Sequence, residues 1–133
     1  MIYLDANFFI FALFDQTKKG SKARQIQKGI IEGEINAFTS ALALDEVMWV
    51  IIKNKKSHLL RKVIEDIYSM PNLTVREVSS LIPLHALGFM EKYNLKPRDA
   101  FHLAVMENLQ LVTIVSDDSD FDSIKNIRRL KLE

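Results

Sequence analysis

Leu111-Val112-Thr113-Ile114-Val115-Ser116-Asp117-Asp118 is an apolar, largely β-branched run that ends abruptly in a hydroxyl and two acids. β-branched side chains fit a pleated, buried surface, so Leu111–Val115 reads as the clearest strand in the chain. Just upstream, Pro97 suits the first turn of a helix carrying Arg98 to Glu107. Leu73–Val78, Asn36–Phe38 and Ile2–Leu4 read as three further strands, and a last one is expected near Arg129–Leu132. Helical patterns fill the intervals. Phe8–Phe14 is short and very apolar, while Lys19–Glu32 places Ala23, Ile26, Ile30 and Ile31 at helical spacing before Gly33 as a C-cap. Thr39-Ser40 supply N-cap chemistry for Ala41–Lys53. Ser57 is expected to cap a helix that runs to Ser69 and stops at Pro71, and Ser79-Ser80 to cap one reaching Tyr93. A short helix is expected after Asp118. Helices separate nearly every pair of strands, which predicts an α/β fold: a three-layer α/β/α domain with a central parallel β-sheet covered on both faces.

The chain has 133 residues, enough for one domain and too few for two ordinary ones, so residues 1–133 are expected to form a single domain. Hydrophobic residues make up 48% and charged residues 26%, a balance that argues against disorder. There is no cysteine, which excludes disulfide scaffolds, thiolate zinc sites and cysteine nucleophiles and fits a reducing compartment. A net charge of +1 points to no nucleic-acid partner by itself, since only local clustering carries that signal. Phe8–Phe14 and Val47–Ile52 are far too short to span a membrane. Met1-Ile2-Tyr3-Leu4-Asp5 has no basic segment and meets an acid at once, unlike a signal peptide, so a cytoplasmic protein is expected.

In a parallel sheet, ligands sit beyond the carboxyl ends of the strands. Asp5 ends the first strand, and Ser116, Asp117 and Asp118 end the clearest one. Asp45 and Glu46 lie one to two turns into the helix after the second strand. Asp99 opens a helix whose start points to the same rim. Carboxylates gathered without cations repel, and at least one is forced to take up a proton. The usual resolution is a divalent ion, and Mg²⁺ or Mn²⁺ suits all-oxygen ligation. Such an ion activates water and neutralises phosphate charge. No Ser-His or Lys nucleophile competes with it, so metal-assisted phosphoester hydrolysis is the natural chemistry of this set.

Four motifs occur in order: Leu4-Asp5-Ala6-Asn7; Thr39-Ser40 followed by Glu46; Pro97-Arg98-Asp99-Ala100-Phe101-His102-Leu103-Ala104; and Ser116-Asp117-Asp118-Ser119-Asp120-Phe121. Together they span nearly the whole chain, which resembles the PIN-domain family and its small VapC-type toxins of toxin–antitoxin pairs. The resemblance implies a parallel sheet between helices and acids that hold Mg²⁺ or Mn²⁺ for endoribonuclease cleavage of RNA. Carried over residue by residue, Asp5, Glu46, Asp99 and Asp118 match the four acids, with Asp5, Asp99 and Asp118 as the metal set. Asp117 and Asp120 remain open alternatives for the fourth. Ser116 stands where the family commonly has Thr and retains the hydroxyl. Asn7 matches a supporting polar position. The resemblance further implies a small antitoxin partner covering the site, and a homodimer, for which the helix faces around Val47–Ile52 are candidates.

Each residue also has a plainer reading. Asp5 and Asn7 suit helix capping, Asp99 suits the helix macrodipole, and the acid run Asp117–Asp122 suits a solvated loop. That run is not a calcium loop, because Ser123 and Arg129 replace the required Gly and Glu. Glu46 among Leu42, Leu44, Val47, Val50 and Ile51 is costly unless paired, although Asp45 is adjacent, periodicity leaves the choice open, and only the family pattern selects Glu46. His102 lies one turn after Asp99 and reads as a half-buried helix histidine. Trp49 and the Phe residues near the start read as packing groups, with base stacking as the alternative. Lys18, Lys19 and Arg98 are the candidate phosphate contacts. A non-catalytic binding or scaffold domain, with a structural metal or none, is the competing function. A phosphoacceptor receiver domain ranks last, because it wants an aspartate after the middle strand and a lysine after the final one.

Overall fold

A computed structural model describes residues 1–133. Five strands form one sheet: β1 (Ile2–Leu4), β2 (Ala37–Ser40), β3 (Leu73–Arg76), β4 (Thr113–Val115) and β5 (Arg128–Leu130). Six helices accompany them: α1 (Ala6–Phe14), α2 (Lys18–Ile31), α3 (Ala41–Lys53), α4 (Leu60–Ser69), α5 (Ile82–Tyr93) and α6 (Pro97–Asn108). The strand order is β3-β2-β1-β4-β5, and every pairing is parallel. The expected α/β/α architecture is therefore the observed one.

Side-chain alternation along β1 explains the two covered faces. Ile2 and Leu4 join a core built with Phe8, Phe9, Ile26, Ile30, Val47, Ile51, Val63 and Ile67 from α1 to α4. Tyr3 points to the other face, where Ile82, Ala86, Leu103 and Met106 of α5 and α6 pack with Ile114. The period of two across a strand thus splits one three-residue segment between two cores. No helix is long and apolar enough to cross a membrane.

Local chemistry sets the element boundaries. Leu111 falls outside β4 because its N–H bonds the Met106 carbonyl 2.9 Å away, closing the end of α6. Two expected caps are absent: Ser57 opens a 3₁₀ turn, Ser57–Leu59, ahead of α4, and α5 starts after Leu81 with no side-chain cap. Ser40 does cap α3, accepting the Ala43 N–H. Gly33 takes φ +83° just past α2, as a left-handed helix stop requires. At Gly20 a Cβ would overlap the Asp15 carbonyl, so α1 and α2 meet in the tight corner only because that side chain is missing.

The topology decides where the loops converge. From β1 the chain winds outward through β2 to β3, then returns to place β4 on the other side of β1. Strand order reverses between β1 and β4, and a crevice opens beyond the carboxyl ends of strands at such a reversal. Asp5 and Ser116 are the first residues past those two ends.

Candidate active site

Asp5 is buried, 5% exposed, and caps α1 by accepting the Asn7 N–H at 2.8 Å. The expected capping role is therefore present, and Asn7 also reaches the second Asp5 oxygen at 3.5 Å. Burial pushes the Asp5 carboxyl up to about 6. Ser116, the nearby His102 ring and the Asn7 N–H only partly offset that, and Glu46 adds to it. Ser116 itself is fully buried and accepts the Asp118 N–H at 3.0 Å. Thr39 donates to the Leu4 carbonyl at 2.7 Å, bonding the end of β2 to β1 next to Asp5.

Asp99, Asp118 and Asp120 place carboxylate oxygens within 4.8 Å of one another. Asp99 comes from the first turn of α6, while Asp118 caps the 3₁₀ turn Ser119–Ser123 by accepting the Asp120 N–H at 2.8 Å. Partial burial, followed by the charge of Asp118, holds the Asp99 carboxyl well above the usual carboxylate range. All donors are hard oxygens, and a divalent cation would relieve the crowding, so the three fit one. Asp117 is separate from this set. It pairs with Lys19 at 2.9 Å.

Glu46, in the second turn of α3, is mostly covered, whereas the neighbouring Asp45 is exposed, so Glu46 is the one of the two that faces inward. Its Oε1 accepts from His102 Nε2 at 3.0 Å and pairs with Arg98 Nε at 3.3 Å. Asp5 and Glu46 lie outside the trio of mutually close carboxylates, and the His102 ring is a neighbour of both Asp5 and Asp99. His102 is 2% exposed, more buried than its sequence context suggested. Its Nδ1 meets the Tyr3 hydroxyl at 2.6 Å, and that hydroxyl meets Ser40 Oγ at 2.8 Å. Burial raises the Tyr3 phenol above its ordinary value. Sequence reasoning missed Tyr3 altogether, since an aromatic in a buried strand carries no polar signal.

The candidate phosphate contacts divide. Lys19 is held by Asp117 and Arg98 by Glu46, while Lys18 forms no ion pair. Arg129, missed in the sequence, grips Asp122 through two bonds of 2.7 and 2.8 Å and donates to the Ser116 carbonyl at 3.1 Å, bracing the turn that carries Asp118 and Asp120. The apolar stretch of α3 also divides: Val47 and Ile51 are buried in the chain's own core, leaving Met48, Trp49 and Ile52 exposed.

The PIN domain family model matches residues 2–127. A VapC ribonuclease of Mycobacterium bovis and the ribonuclease VapC13 of Mycobacterium tuberculosis are each 24% identical to this chain over 137 residues, covering 98% of it and 99% of their own length. Among solved structures, the sarcin-ricin loop cleaving toxin VapC20 of Mycobacterium tuberculosis superposes with a TM-score of 0.77 at 15% identity, over 96% of this chain and 99% of that one. VapBC2 of Rickettsia felis, bound to a DNA fragment from its promoter, gives 0.75 at 17% identity, over 98% of each chain.

Proposed function

This chain belongs to the PIN domain family, and from that premise we propose that it is a metal-dependent endoribonuclease, the toxin of a toxin–antitoxin pair. The reading is supported by the close approach of the Asp99, Asp118 and Asp120 carboxylates beside the ends of β1 and β4, with Asp5 and Asp99 both disfavoured as bare anions. Asp99 and Asp118 would hold Mg²⁺ or Mn²⁺ together with Asp5, and Asp120 stands close enough to join them. When bound, the cation supplies charge neutralisation at the phosphate and lowers the pKa of its water.

The chain's own residues do the rest. Ser116 fixes the Asp118 backbone, and the Asp5 N–H bonds the Val115 carbonyl at 3.4 Å, so the ends of β1 and β4 are held in one register. Glu46 is kept in place by His102 and Arg98 on one oxygen, leaving Oε2 without a protein partner and available to orient a water or a substrate hydroxyl. Arg98 and Lys18 provide positive charge for the RNA backbone, and Lys19 can do so only by releasing Asp117. The names of the relatives support the ribonuclease class, and a toxin–antitoxin complex from Klebsiella pneumoniae that shares the fold at a TM-score of 0.72 and 19% identity supports an antitoxin partner. The exposed Met48, Trp49 and Ile52 make α3 a candidate surface for a homodimer. We place the protein in the cytoplasm as one domain over residues 1–133.

The deciding experiment is cleavage of a labelled structured RNA with Mg²⁺, Mn²⁺ or EDTA, with wild type and Asp99→Asn side by side. Cutting that needs metal and disappears in the variant supports the proposal. Equal behaviour of the two proteins, both freed of any co-purified partner, replaces it with the binding or scaffold reading.

A further inference from the structure

Behind Glu46 runs a buried polar chain that neither the metal chemistry nor substrate binding uses. It starts at the cap of α3, where Ser40 Oγ accepts the Ala43 N–H, and passes to the Tyr3 hydroxyl at 2.8 Å. From there it reaches His102 Nδ1 at 2.6 Å and, through Nε2, Glu46 Oε1 at 3.0 Å. Tyr3 and Ser40 are fully buried and His102 is 2% exposed, so none of the three can touch an RNA. The chain begins and ends on α3 but crosses β1 and α6, so it pins one helix to two elements that carry site acids: Asp5 follows β1, and Asp99 starts α6.

We propose that Tyr3 and His102 are positioning residues that hold the Glu46 carboxylate in its working orientation. An ionised carboxylate only accepts, so the 3.0 Å bond requires a proton on His102 Nε2. The ring can keep that proton on Nε2, and the ring plane in place, only if Nδ1 has a fixed partner of its own. Tyr3 is that partner, and its edge-on contact with the ring, 5.5 Å between centroids at 61°, leaves little room for rotation. The arrangement is one in which an outer group fixes the tautomer and direction of an inner one. A tyrosine in the middle of the shortest kind of buried strand, where Phe would pack equally well, is explained by its hydroxyl.

The inference rests on the ribonuclease reading for its kinetic consequence and is independent of it for its spectroscopic one. Tyr3→Phe removes one oxygen and keeps the packing. The expected result is a fall in kcat of about tenfold, the scale typical of losing an outer-shell partner, at unchanged KM for RNA. His102→Gln, which keeps an N–H donor near Glu46, should retain several-fold more activity than His102→Leu. In ¹⁵N-labelled protein, His102 should carry its proton on Nε2, with a resonance that moves in Glu46→Gln and becomes averaged between the two nitrogens in Tyr3→Phe. A folded Tyr3→Phe protein with wild-type kcat overturns the proposal, as does a wild-type ring protonated on Nδ1 alone. If wild type cleaves no RNA, the nuclease reading fails, and the ring signal decides: an Nε2 proton sensitive to both substitutions supports the positioning chain, and an insensitive one overturns it.

Discussion

Replacing Asp5 by Asn should make the metal-free protein more stable while removing its activity. Asp5 is 5% exposed, and its carboxyl is pushed from 3.8 up to about 6 by burial. A charged form disfavoured by about two pH decades, at ~1.4 kcal/mol each, costs roughly 3 kcal/mol at pH 8 as an upper bound. Asn is nearly isosteric, cannot ionise and is as good an N-cap, so the bond from the Asn7 N–H survives. For a chain of this size a gain of about 1–3 kcal/mol raises Tm by roughly 4–10 °C. The sign with pH is fixed by the direction of the shift. Asp5 binds its proton more tightly when folded, so its contribution to stability is full below 3.8 and lost as pH rises through about 6. The advantage of Asp5→Asn should therefore be largest at pH 8, shrink through pH 6 and vanish near pH 4. Thermal unfolding in EDTA across that range measures it directly. A variant less stable than wild type at pH 8, or an advantage that does not change with pH, would refute the argument that burial of a bare carboxylate dominates this position.

Other expectations follow from the same geometry. Saturating Mn²⁺ should stabilise wild type at pH 8, by ~2.7 kcal/mol at one hundred times Kd, and far less in Asp118→Asn, read as the shift in Tm. Gly20→Ala drives a Cβ into the Asp15 carbonyl and should cost ~1–3 kcal/mol in denaturant unfolding, with the same m-value. Arg129→Met frees the turn holding Asp118 and Asp120 and should weaken Mn²⁺ binding measured by calorimetry more than it lowers Tm. Trp49→Glu should leave the far-ultraviolet spectrum intact and, if α3 pairs two copies, convert a dimer to a monomer in light scattering.

The parallel sheet was legible in the sequence because strand and helix patterns alternate, and each acid at a strand end could be placed on the rim without knowing the strand order. What periodicity left open was decided by contacts between distant segments. Asp45 and Glu46 are equivalent in an apolar helix until His102 and Arg98, more than fifty positions away, select one of them. Asp117 leaves the cluster because Lys19, near the other end of the chain, claims it. The role of Ser57 and of Ser79-Ser80 was misjudged for a local reason: a residue suited to capping caps only where the helix begins, and a 3₁₀ turn or Leu81 occupies that point instead. Tyr3 escaped notice because its partners Ser40 and His102 come from distant segments, and Arg129 because its bonds to Asp122 and the Ser116 carbonyl depend on how an irregular turn folds back, which spacing does not show.

The two halves of the site solve the problem of gathered negative charge differently. Glu46 is matched by protein: a histidine and an arginine meet one of its oxygens, and no buried side-chain nitrogen or oxygen lacks a partner. Asp99 and Asp118 form no ion pair; partial burial and then the charge of Asp118 make Asp99 hold its proton more tightly. A protein selected only for stability would resolve that crowding with an Asn or a basic side chain, since removing one like charge is the cheaper solution. The crowding persists where it can be relieved from outside, on partly exposed residues at the reversal of strand order, while the fully buried positions around it are satisfied. That contrast, more than the number of acids, sets the crowded trio Asp99, Asp118 and Asp120 apart from the paired Glu46, and it is what the Mn²⁺ titration of Asp118→Asn puts to the test.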